Sequence, residues 1–174
     1  FIVAARNVAN PTVLFTNDLR VDNNNNQFFR SSFGLPYITQ SNFEKHRIWL
    51  NLTNSEGLFC QMMVGYMENA TNGVDDLIDG KYIGDFATAM TSIIDQDEYI
   101  IQGKALPFET SDIVPLRFKT DQTGTFSFAI DHVEGLFEGD QVILIRDELT
   151  NTVHNLKDAP FVFASEAGTF SNRF

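Results

Sequence analysis

An alternation of period two recurs along this chain and constrains its fold more than any other feature. In residues 124–131 (Gly-Thr-Phe-Ser-Phe-Ala-Ile-Asp), small or polar residues alternate with Phe126, Phe128 and Ile130. Successive side chains of an extended strand point to opposite faces, so this spacing gives one apolar and one wet face. A helix would scatter the same residues around its axis. Residues 47–53 alternate likewise, with Ile48, Leu50 and Leu52 on one face and Trp49 on the other. Residues 58–66 are more uniformly apolar, as in a central strand covered on both faces. Further strands are expected at 12–16, 27–33, 98–102, 114–120, 141–146 and 160–164. Turn-forming runs separate them: Asn54-Ser55-Glu56-Gly57, Asp121-Gln122-Thr123-Gly124, Glu138-Gly139-Asp140 and Glu166-Ala167-Gly168. The one helical signal, at 85–94, is diluted by Thr88, Thr91, Ile93 and Ile94. Strands joined by short polar loops predict an all-β fold, an antiparallel β-sandwich of jelly-roll type with little helix. No Pro/Ser-rich linker divides the chain, so residues 1–174 are expected to form a single module.

Composition narrows the function classes. The 17 Phe and 43% hydrophobic content are enough to bury a core. Twelve Lys and Arg against 23 Asp and Glu give a net charge of -11, which argues against nucleic acid as a partner. The same charge is repelled by anionic lipid, and no apolar run approaches the roughly 20 residues of a membrane span, so no direct membrane insertion is expected. A single cysteine, Cys60, excludes an internal disulfide and a multi-thiolate zinc site. The chain opens on Phe1-Ile2-Val3-Ala4 and closes on Arg173-Phe174. Both ends read as cuts through structured sequence, so the expectation is a C-terminal fragment of a much larger protein with its first strand truncated.

Candidate chemistry is sparse. His46, His132 and His154 are isolated and lack zinc-ligand spacing, and no GxSxG or phosphate-cradling glycine loop is present. Some sandwich-fold glycosidases carry Glu-x-Asp-x-x-Glu on one strand, which presents a nucleophile and an acid/base about 5 Å apart. Here Asp131 and Glu134 match the last two positions, but Ala129 holds the first and cannot attack an anomeric carbon. No catalytic residue is therefore assigned. Oxygen ligands for calcium are offered by residues 22–26, by Asp75, Asp76 and Asp79, and by Asp95, Asp97 and Glu98. None supplies a complete twelve-residue loop. Solvated acidic loops are the expectation, with no cofactor assigned and calcium kept as an option. Sugar C–H faces stack on aromatic rings, and Trp49, Tyr37, Tyr66, Tyr82 and Tyr99 are the available platforms, Trp49 being the ligand-binding candidate. Asn51-Leu52-Thr53 and Asn69-Ala70-Thr71 match the N-glycosylation triplet.

Several stretches, in order, resemble a β-rich module of Bacteroidota surface proteins. Val13-Leu14-Phe15-Thr16-Asn17-Asp18-Leu19-Arg20 and Arg47-Ile48-Trp49-Leu50-Asn51-Leu52 are two of them. Gly73-Val74-Asp75-Asp76 with Asp79-Gly80-Lys81-Tyr82, and Tyr99-Ile100-Ile101-Gln102-Gly103-Lys104-Ala105-Leu106-Pro107-Phe108, are two more. Pro160-Phe161-Val162-Phe163, Gly168 and Asn172-Arg173-Phe174 close the series. The module that they resemble precedes the C-terminal sorting domain of type IX secretion cargo, including gliding-motility adhesins. The resemblance implies export across the outer membrane, an extracellular or cell-surface location and a non-catalytic adhesion role. The implied partners are outer-membrane type IX translocon components or a cell-surface glycan. The alternative is a carbohydrate-binding module of a secreted polysaccharide-degrading enzyme. The resemblance supplies no catalytic residues.

Overall fold

The structure, a computed structural model, describes residues 43–174. The strands expected at 12–16 and 27–33, the 22–26 loop and Tyr37 lie outside the described residues. Eleven strands follow in chain order: β1 (Lys45–Asn54), β2 (Phe59–Met67), β3 (Gly80–Lys81), β4 (Ala89–Ile94), β5 (Asp97–Lys104), β6 (Leu116–Thr120), β7 (Gly124–Glu134), β8 (Leu144–Asp147), β9 (Thr152–Asn155), β10 (Phe161–Ser165) and β11 (Gly168–Phe170). The 3-10 turn Gly135–Glu138 is the one helical element among the described residues. The fold is all-β, as the alternation predicts.

Nine strands make one sheet, in the order β10-β7-β1-β2-β5-β4-β6-β11 with β3 added on β5, and β8 and β9 form a separate hairpin. All pairings are antiparallel except β2 with β5, where Met63 lies beside Ile101 and Tyr66 beside Lys104. Parallel neighbours need a long crossover, and the one between β2 and β5 carries β3 and β4. The sheet curls until its two ends face each other. Phe118 of β6 meets Phe126 of β7 at 5.1 Å and Phe163 of β10 at 5.4 Å, both edge to face. Those strands sit near opposite ends of the strand order. Two layers therefore come from one sheet, with the inward residues of each end interdigitating as in a sandwich core. Leu52, Met62, Phe118, Phe126, Phe128 and Phe163 are buried there. Ile143 and Ile145, at the start of the β8–β9 hairpin, join the same cluster.

Residues 85–94 are not helical: β4 occupies their second half. Thr91 and Ile93-Ile94 favour extended backbone, and pairing with both β5 and β6 makes β4 an interior strand. Its buried hydroxyls are satisfied by neighbours. Thr91 donates to Glu98 at 2.8 Å and Ser92 to the Tyr99 carbonyl.

The last residues close the structure. Leu116 N–H donates to the Phe174 carbonyl, and Glu148 N–H to that of Arg173. Arg173 forks onto buried Asp147, with Nε and Nη2 donating at 3.0 and 2.9 Å, and Nη2 also reaches the Ala164 carbonyl of β10. Its guanidinium lies over the rings of Phe163 and Phe174 at 4.9 and 4.8 Å.

Candidate functional site

The outer face of β7, β1 and β2 carries a connected set of polar and aromatic side chains that the core does not use. Ile48, Leu50 and Leu52 point inward, so Arg47, Trp49 and Asn51 share the outward face of β1. Opposite them, β7 carries a bulge. Trp49 pairs with His132, but the next residue, Leu50, pairs with Ile130, which leaves Asp131 as the extra residue. Ile130 and Val133 both pack on the core while Asp131 and His132 are exposed. The bulge thus turns two consecutive residues outward, which regular pleating forbids.

These side chains contact one another in rows across the strands. Arg47 Nε donates to Glu134 Oε2 at 2.8 Å, opposite it on β7. Trp49 stacks on His132 with ring centroids 3.9 Å apart and planes 16° from parallel. The Arg47 guanidinium also lies over the Trp49 ring, at 4.9 Å. In the third row, Gln61 of β2 donates to Asn51 Oδ1 at 2.9 Å, and Asn51 Nδ2 donates to Asp131 Oδ1 at 3.1 Å. His132 Nδ1 completes the row at 2.6 Å from Asp131 Oδ2. The bond from His132, then that from Asn51, hold the Asp131 carboxyl below its ordinary range. Gly65, opposite Arg47 on β2, makes room for the first row. A Cβ there would come within 2.7 Å of Met67 Cε and 3.1 Å of Arg47 Cγ.

Trp49 is partly exposed, on the face its alternation predicts, but it is not a bare platform, since His132 covers part of it. Asp131 and Glu134 reach the same face, each tied to a cationic or imidazole partner. A glycosidase acid needs a raised carboxyl. Asp131, at the middle position of the Glu-x-Asp-x-x-Glu pattern, is held below its ordinary range by His132 and Asn51. Ala129 pairs with Asn51 and supplies no nucleophile.

Of the calcium candidates, Asp75, Asp76 and Asp79 lie elsewhere, in the loop before β3, and Asp95, Asp97 and Glu98 lie at the turn from β4 into β5. Asp75 Oδ2 accepts from Thr71 N–H, and Asp79 accepts from the N–H groups of Asp75 and Gly103, each at 2.6 Å. Asp76 is exposed. Asp75 and Asp79 act as acceptors that fasten the loop to itself and to β5. Among the described residues no group of three or more His, Cys, Asp or Glu is placed to hold a metal. Two of the aromatic platforms prove to be interior: Tyr66 and Tyr99 are buried. Tyr66 donates to Asp112, as does Lys104, which pins residues 105–115 to the sheet. Burial, then the Asp112 carboxylate, push the Tyr66 hydroxyl far above its usual range. Tyr82 is half-buried, and its hydroxyl accepts from Phe86 N–H.

Arg47, Asn51, Gln61 and His132 complete the face and were missed by sequence reasoning. Arg47 and Asn51 could have been found by extending the alternation of Trp49 to i−2 and i+2. His132 could not, because the bulge breaks the period that would assign it to a face.

Residues 1–174 match the model of a family described as a domain of unknown function (DUF8693). Neither the curated proteins nor the solved structures contain a match.

Proposed function

The chain belongs to the DUF8693 family, and we propose that it is a non-catalytic adhesion or presentation module of an exported cell-surface protein. Its contact surface is the outer face of β7, β1 and β2. The observation that supports this reading is the set of cross-strand rows Arg47–Glu134, Trp49–His132 and Gln61–Asn51–Asp131. A rigid sheet fixes those groups in place before any partner arrives, which lowers the ordering cost of binding. The ordered resemblance to type IX cargo supports export and contact with translocon components. The test is protease shaving of intact source cells, followed by detection with an antibody to residues 43–174. Loss of signal from intact cells is expected. Signal that resists shaving and stays in the cytoplasmic fraction overturns the reading.

Trp49 favours a second reading, a carbohydrate-binding module of a polysaccharide-degrading enzyme, because its ring lies beside amide and carboxylate groups suited to hydroxyls. A glycan array probed with and without a chelator tests it. Binding that Trp49→Ala abolishes is expected, and binding lost only on chelation would transfer the role to the Asp75–Asp79 loop.

A further inference from the structure

Trp49 is the only tryptophan of the chain, and the group stacked on it is itself exposed. The His132 side chain keeps 51% of its surface in water, and its hydrogen bond runs to the adjacent Asp131. A parallel stack at 3.9 Å is the geometry in which an aromatic ring receives a flat partner. We propose that His132 is a displaceable cover on Trp49, and that the ligand which displaces it is the apolar face of an uncharged pyranose ring. This rests on the second reading above.

The charge pattern selects the ligand class. Arg47 is neutralised by Glu134 and His132 is paired with Asp131, so among the described residues no free cation stands beside Trp49 to recruit an acidic sugar. Asn51 and Gln61 supply the polar neighbours, in a row that crosses three strands. Neighbouring strands lie about 4.8 Å apart, so that row extends over roughly 10 Å, the scale of two sugar rings. The sugar replaces one stacked ring by another. The stack on His132 is lost as the new one forms, so the cover weakens binding without blocking it.

The test uses the full 174-residue chain, with soluble β-glucan, xylan and mannan oligosaccharides as probes and emission of the single tryptophan as readout. Without sugar, His132→Ala changes the emission of Trp49, because the stacked imidazole is gone. With sugar, His132→Ala binds about 2- to 10-fold tighter than the parent, the range that one aromatic stack corresponds to. Asp131→Asn, which weakens the tether, shifts affinity in the same direction. Trp49→Ala abolishes binding and is followed by calorimetry. If His132→Ala binds more weakly than the parent, or equally, the imidazole is a contact and not a cover, and the inference falls while the glycan reading stands. If none of the proteins binds any probe, both fall. Unchanged emission in sugar-free His132→Ala overturns the stack itself.

Discussion

Arg173 and Asp147 show how much one pair can hold. Asp147 is fully buried and Arg173 is 5% exposed, so each depends on the other for its charge. Removing one partner of such a pair strands the other, which costs about 3–5 kcal/mol. Arg173→Ala should therefore lower the unfolding free energy by about that amount in urea titration, and Asp147→Ala comparably. The double variant should lose far less than the sum of the two. Burial alone would raise the Asp147 carboxyl, but the Arg173 fork and the Leu149 N–H outweigh it and hold it below the ordinary value. A lowered carboxyl contributes stability that is complete above the ordinary carboxylate range and fades as pH falls through it. Acid titration of the parent should show this loss below roughly pH 4, and Asp147→Asn should not show that component. The sequence displays Arg146-Asp147 and Asn172-Arg173-Phe174 as separate stretches. Nothing in their spacing pairs them, because that contact depends on where β8 and the chain end meet in space.

At the scale of the element, alternation told most where one face is apolar and the other wet. Alternation located β1 and β7, and apolar runs between turn signals located β2, β5, β6 and β10, to within a few residues. It failed at β4, whose residues 89–92 are all buried, so that Ala, Met, Thr and Ser give no contrast between faces. The short strands β3, β9 and β11 carry too few residues to show a period. The bulge in β7 was invisible for a different reason. It depends on pairing with β1, and only the partner's register reveals that Asp131 is extra. Without Asp131, the order Ile130-His132-Val133-Glu134 alternates perfectly. Deleting Asp131 should therefore leave the strand paired and the far-UV circular dichroism unchanged, while the emission of Trp49 shifts as His132 loses its tether. Unfolding on deletion would show that the bulge supports the sheet and not only its outer face. Gly135 marks the end of β7 with φ +67°, and a Cβ there would meet His46 Nδ1 and the Lys45 carbonyl. Gly135→Ala combines backbone strain with overlap, and should cost about 1–3 kcal/mol in the same urea titration.

Across the described residues as a whole, the decisive contact is Phe118, fully buried between the two ends of the sheet. Phe118→Ala should cost about 3–5 kcal/mol. Combined with Phe163→Ala it should deviate from additivity, because the two rings share one space at 5.4 Å. Composition predicted an aromatic core, but not that one sheet would curl to make it. The strand order is set by long-range pairings, and the parallel neighbours β2 and β5 are separated by two other strands in sequence. Local pattern does not encode such choices. The site suffered from the same limit, since its rows join β2, β1 and β7, and β7 is remote from the others in the chain.

The closing residues carry one more consequence. Among the described residues the sheet ends in β10 on one side and β11 on the other, and a strand edge left unpaired is a template on which aggregates grow. Arg173 binds the Ala164 carbonyl of β10, while the Phe174 carbonyl takes the Leu116 N–H beside β11. The two residues work as a seam drawn between the margins of one cloth. Cutting that seam lowers stability and also lets the margins part, so the molecules that stay folded would recruit one another edge to edge.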